Sequence, residues 1–272
     1  MKRYRPLQPP KLQRELLHTD YVYREYEPCD KLTSHIACYW TMDFHAVTGS
    51  IQPHRILPDG CVDILFDRRS LSYRNASFVA GLMAQYEVMN LTEAQSLFGV
   101  RFYSEAARSV FKYPVSEFRG YHVYLEEFWG IDSLAMVEEI LSADEVSKVI
   151  DIVERKLIKR LSLDDSPSDP VLHASMQYMY THRGTLTPSD LADKLSFSGR
   201  HIRRTFDREL GMSPKEMLSI IRFQSLLQEL NGGGNTRLTD IAANFGYYDQ
   251  SHFIKHFKRY YGLLPREMLR TE

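Results

Sequence analysis

The sequence predicts an α+β protein: a mainly β, barrel-like N-terminal domain with flanking helices, then an all-α domain of two helix-turn-helix units joined by a linker helix. Three observations carry this. Short aromatic and β-type runs bounded by turn residues fill residues 35–103. After Asp132 the apolar period becomes helical. In the last hundred residues a helix–turn–helix pattern occurs twice, about fifty residues apart.

Bulk properties set the frame. With 272 residues, 43 % hydrophobic and 25 % charged, the chain is expected to fold as two domains and not to be disordered overall. No run reaches the roughly 18–20 apolar residues that span a bilayer, and the N-terminus lacks the apolar stretch of a signal peptide. No membrane association and a cytoplasmic location are therefore expected. Cys29, Cys38 and Cys61 have no C-x-x-C spacing and read as buried thiols of a reducing compartment. From Val171 onward there are 14 Lys and Arg against 10 Asp and Glu; the rest has 20 against 25. A modestly basic module thus follows an acidic one, as expected of a polyanion-binding domain attached to something else.

Strands are predicted at His35–Phe44, Cys61–Phe66 after the turn signal Pro58-Asp59-Gly60, Ser77–Met83 and Gln95–Tyr103. A short helix with Ser104 as its cap should cover Ser104–Phe111. These give a domain over 1–130. Residues 131–162 form a helical connector, in which Ser142 can cap a helix carrying Val146, Ile150, Val153, Leu157 and Leu161 on one stripe. Lys148, Asp151, Glu154 and Lys159 fall on its opposite face. The stripe has two open readings: packing on its own domain, or the seam of a homodimer. The Asp-, Ser- and Pro-rich residues 163–170 are the expected linker, and 171–272 the second domain.

In that domain Thr187 and Pro188 start a helix whose apolar face is Leu191, Ala192 and Leu195. Ser196-Phe197-Ser198 makes a turn, and Ser198 caps a second helix, Gly199–Leu210, ended by Gly211. Ile202, Phe206 and Leu210 face inward, leaving Arg200, Arg203, Arg204 and Arg208 on or beside the outer face. Residues 239–247 repeat 189–197, and Asp249–Tyr261 repeats the second helix, with Phe253 and Phe257 inward and Gly262 at its end. Between the units, Ser213–Leu230 reads as a helix roughly 25 Å long at about 1.5 Å per residue. It can hold two recognition helices about one DNA turn, roughly 34 Å, apart, covering some 15–20 base pairs.

Residues 173–270 resemble the DNA-binding domain of the AraC/XylS family of bacterial regulators. The motifs are LADKLSFSGRHIRRTFDRELGMSPKEML and IAANFGYYDQSHFIKHFKRYYGLLPREML, with Ile241, Ala242, Gly246, Tyr247, Ser251, Phe253, Lys255, Phe257, Lys258, Gly262 and Pro265 at signature positions. Leu264 replaces the usual Ser or Thr before the proline, so the last helix should start more loosely; the Gly232-Gly233-Gly234 loop is longer than usual. The resemblance places base-reading residues at Arg200, Arg203, Arg204, Gln250, Ser251, His252 and Lys255. Arg208, Lys258 and Arg259 are better placed for phosphate. It further implies double-stranded promoter DNA and RNA polymerase as partners, activation as the mode, and an N-terminal domain that senses a small molecule or mediates dimerisation.

Residues 20–130 are similar, less specifically, to an N-terminal domain on a subset of these regulators, through HIACYW, RILPDGCVDILFD, FVAGLM and LFGVRFYSEAARSVF. Trp40, Phe44, Phe66, Arg101 and Tyr103 are the candidate effector-binding residues; at strand spacing such aromatics are equally core, and Arg101 is an anion anchor only if it points inward. A regulator controlled by a protein partner or by abundance is the alternative. An enzyme is not expected: His54, Asp59, Cys61 and Asp63 lie close together, but no oxyanion loop, H-E-x-x-H, G-x-S-x-G or P-loop accompanies them. No metal site or cofactor is expected either, since His252 and His256 are spaced i, i+4 without a third ligand.

Overall fold

In the computed structural model, residues 4–12, 20–45, 51–120, 122–162, 168–232 and 238–268 are described. After a short helix α1 (Pro9–Leu12), the strands are β1 (Tyr21–Tyr26), β2 (Ile36–Phe44), β3 (Gln52–Ile56), β4 (Cys61–Asp67), β5 (Ser77–Ala80), β6 (Glu87–Leu91), β7 (Gln95–Tyr103) and β8 (His122–Tyr124). Six pair antiparallel in the order β1-β2-β7-β4-β5-β8, while β3 and β6 form a separate ribbon. The expected barrel is therefore corrected to an open sheet: β1 and β8 are its two edges, and neither pairs with the other.

Alternation gives the sheet two working faces. Tyr39, Val62, Ile64, Phe66, Phe98, Val100 and Phe102 are buried in the main core. The other parity, Cys38, Trp40, Met42 and Phe44, joins Tyr21 and Leu91 in a second cluster beneath the ribbon. Trp40 lies opposite Gly99 on β7, where a Cβ would stand 2.0 Å from the indole Cε2. Only glycine lets the ring lie on the strand here.

The helices are α2 (Ala107–Phe111), α3 (Leu125–Trp129), α4 (Ile131–Leu141), α5 (Val146–Ser162), α6 (Pro170–Thr181), α7 (Pro188–Leu195), α8 (Gly199–Leu210), α9 (Pro214–Asn231), α10 (Leu238–Asn244), α11 (Gln250–Tyr261) and α12 (Pro265–Met268). Three local expectations are corrected. Ser104 is the first residue of a 3-10 turn whose N-cap position is Tyr103, so it is not the cap, and no side chain caps the turn. Ser142 ends α4 instead of starting α5. Glu154 faces the sheet, accepting from the Cys29 amide at 2.7 Å and the Tyr39 hydroxyl at 3.2 Å. Val149, Val153 and Leu157 bury α5 against its own domain, which favours the first reading of its stripe.

Of the expected linker, 163–167 lie outside the described residues, as do Gly233 and Gly234. Asp169 belongs to a helix start: its carboxylate accepts from the Val171 and Leu172 amides at 2.8 and 3.0 Å. The two domains share one continuous apolar core. An N-terminal strap lies between them: Tyr4 stacks on Tyr180 with centroids 4.3 Å apart, and the Leu7 amide donates to Gln224 Oε1 at 2.7 Å. Tyr180 also donates to the buried Glu105 at 3.0 Å.

Burial pushes the Glu105 carboxyl up to about 7. The folded state then holds a proton that the unfolded chain has released, so the contribution of Glu105 to stability is full below pH about 4.5 and is lost as pH rises towards 7. Glu105→Gln should flatten that decline in a denaturation series from pH 4 to 8. An unchanged slope would place the titrating group elsewhere.

Candidate nucleic-acid interface and effector cavity

Each helix-turn-helix unit is built by caps legible in the sequence. Thr187 and Asp190 form a reciprocal capping box at α7, and Ser198 accepts from the His201 amide to start α8. In the second unit Asp249 accepts from the His252 amide to start α11. The turns repeat as well: Ser196 has φ 56° and Gly246, its equivalent, φ 71°. Ser213 and Glu216 box the start of α9, which packs on both units. Gly211 and Gly262 end the two recognition helices at φ 62° and 83°. At α12 the missing serine or threonine is offset: Glu267 reaches back to accept from the Leu264 amide at 2.6 Å.

Ile202, Phe206, Leu210, Phe253 and Phe257 are buried as the spacing requires. Arg200, Arg203 and Arg204 are exposed on α8, and Gln250, Ser251, His252, Lys255, Lys258 and Arg259 on α11. Two outward polar and cationic faces thus stand on equivalent helices. Arg208 is exposed as well, and pairs with Asp169 at 2.6 Å and Glu209 at 2.8 Å. His256 is half-buried, its Nδ1 2.7 Å from the Tyr247 hydroxyl. Burial, with Arg222 beside it, lowers its pKa to about 3, so it stays neutral.

The C-terminal ends of both recognition helices are held by the β domain. Arg55 donates to the Tyr261 carbonyl at 2.8 Å and Arg119 to the Gly211 carbonyl. Arg108 forks onto Glu209 at 2.6 and 3.1 Å. Ser116 donates to the Arg208 carbonyl at 2.6 Å. Guanidinium groups at helix C-termini complement the terminal carbonyls and the helix dipole. Sequence reasoning missed these residues because their partners lie about a hundred or more positions away.

Between the sheet and the β3–β6 ribbon is a cavity of about 230 Å³. Trp40 and Arg101 line it, with Tyr23, Met42, His54, Asp59, Asp63, Leu65, Phe78, Met89 and Leu97 among their neighbours. The other three effector candidates are corrected. Phe66 is on the opposite sheet face, in the main core. Phe44 is packed in the cluster beneath the ribbon, off the cavity wall. The Tyr103 hydroxyl donates to the Tyr4 carbonyl at 2.8 Å, serving the strap. Arg101 is buried and pairs with Asp63 at 3.0 Å and Asp59 at 3.2 Å. Asp59 in turn accepts from Gln8 of the strap at 3.0 Å.

Residues 24–124 match a family described as a domain of unknown function, DUF6597, and residues 191–271 match a helix-turn-helix domain. The lactose operon transcription activator of Staphylococcus xylosus is 26 % identical over 130 residues, 47 % of this chain and 46 % of that protein. The transcriptional activator RhaS of Yersinia pestis is 32 % identical over 79 residues, 29 % of each. The chain thus spans less than half the length of these two relatives. Among solved structures, ToxT from Vibrio cholerae superposes with a TM-score of 0.41 at 15 % identity, covering 94 % of this chain and 100 % of that one. Its C-terminal part thus carries a helix-turn-helix domain, and over part of its length the chain is similar to these two bacterial transcription activators.

Proposed function

We propose that this regulator binds promoter DNA sequence-specifically and that a small molecule in the β-domain cavity adjusts the orientation of its two helix-turn-helix units. One observation carries the reading: a hydrogen-bonded path joins the cavity wall to the helix that spaces the units. Arg101 meets Asp59, Asp59 meets Gln8, and next to Gln8 the Leu7 amide donates to Gln224 of α9. Gln224 also donates to the Pro58 carbonyl at 2.9 Å, beside Asp59. A ligand that shifts Asp59 acts on both ends of this path. The arginine contacts at Tyr261 and Gly211 give the β domain leverage on each recognition helix. RNA polymerase contact belongs to the same proposal on the strength of the relatives called activators.

Catalysis is not part of the proposal. Burial pushes the Cys61 thiol well up, away from the thiolate a nucleophile needs. Burial lowers His54 to about 4, and its Nδ1 is engaged by Tyr21 at 2.9 Å.

The double variant Arg55→Ala/Arg119→Ala tests the control. Against a duplex selected from a random pool by the wild-type chain, its affinity should change tenfold or more, about 1.4 kcal/mol, with the circular dichroism spectrum retained. An unchanged affinity and footprint would leave regulation by a partner or by abundance as the better reading.

A further inference from the structure

Resting on the effector reading above, we infer that the cavity takes an organic cation, an amine or quaternary ammonium with a compact apolar body, and rejects a carboxylate of the same shape. The buried guanidinium at first suggests the opposite. Arg101, however, is already used: Nε lies 3.2 Å from Asp59, and Nε and Nη2 reach Asp63 at 3.2 and 3.0 Å. Its remaining nitrogen, Nη1, has no hydrogen-bond partner and no accessible surface, so a ligand in the cavity does not reach it.

What the wall presents is carboxylate. The side chain of Asp63 keeps 17 % of its surface and that of Asp59 10 %, against 4 % for Arg101. Glu87 on the ribbon adds a third acid at the exposed rim. Among the described lining residues, three carboxylates therefore stand against one guanidinium. His54 adds no positive charge, because burial keeps it neutral.

Burial, with Asp59 close by, raises the Asp63 carboxyl to about 6 despite Arg101. A bound cation offsets the excess of carboxylates; a bound anion adds a fourth negative group to the three on the wall, which is costly. The rest of the wall suits the body of such a ligand. Tyr23 and Trp40 stack with centroids 6.0 Å apart at 27° and, with Met42, Met83, Leu65 and Leu97, supply apolar surface.

The test uses the full chain and three probes of one shape: 3-phenylpropylamine, 3-phenylpropanol and 3-phenylpropionate, titrated by calorimetry at pH 7.5. The amine should bind at least tenfold more tightly than the propionate, with the alcohol between them. Asp63→Asn should weaken the amine at least tenfold and leave the alcohol unchanged. Because Asp63 supports Arg101, Glu87→Gln at the rim is the second variant; it should weaken the amine a few fold without altering the melting temperature. Propionate binding as tightly as the amine, or more so, overturns the charge assignment while leaving the cavity as a ligand site. No measurable binding of any probe, with no change in melting temperature, counts against the effector reading itself.

Discussion

Gly184→Ala should melt roughly 5–15 °C below the unsubstituted chain. Gly184 sits at φ 69°, just past the end of α6. Its Cβ would lie 2.4 Å from the Arg222 amide nitrogen and 2.5 Å from the Leu218 carbonyl oxygen. Both are backbone atoms of the linker helix and cannot rotate away. Left-handed strain of about 1–2 kcal/mol and overpacking of about 1–3 kcal/mol combine to about 2–5 kcal/mol. For a chain of this size each kcal/mol moves the melting point by about 2–4 °C. Gly246→Ala separates the two causes. It has φ 71° with nothing within 4 Å of the added methyl, so it should show the backbone strain alone. Equal losses in the two variants would mean that the approach of α6 to α9 is not tight.

Arg204→Ala is expected to lose about 1–3 kcal/mol of DNA affinity at one base position and to relax preference there, since an arginine fork on guanine O6 and N7 has no substitute in alanine. The circular dichroism spectrum and melting temperature should not change, because Arg204 is exposed on the outer face of α8. Lys258→Ala is the contrast. It should weaken all sequences alike and lower the slope of log affinity against log salt by about one unit. Binding to randomised duplexes across a salt series reads both effects. If Arg204→Ala keeps both affinity and preference, the first recognition helix is not the reader.

The helical half was almost fully legible because its signals are local. Thr187-Pro188, Ser198, Ser213-Pro214 and Asp249 each act within one turn of their own position, and all four cap the helices their spacing predicts. Gly211 and Gly262 end helices for an equally local reason, the left-handed φ each adopts. The strands were legible where they are central and strongly apolar, as at β2, β4 and β7. β3 and β6, in which most residues keep solvent contact, have no such pattern and were not expected. Arg208 looked like the other arginines of α8; its ion pair with Asp169, 39 residues away, was not legible.

The effector residues divided along the same line. Trp40 and Phe44 share a sheet face and a cluster, yet of the two Trp40 alone lines the cavity. No spacing within β2 encodes that.

By itself the sequence determined two repeated units, their capping, the spacing helix and the cationic outward faces, since each depends on periodicity and on bonds spanning three or four residues. The tertiary structure decided how the β domain grips those units: an open sheet, a cavity walled by acids, and arginines reaching helix ends far along the chain. Such pairings arise when distant segments are brought together by burying a common core, and the identities of neighbours in sequence carry no record of which partners that burial selects.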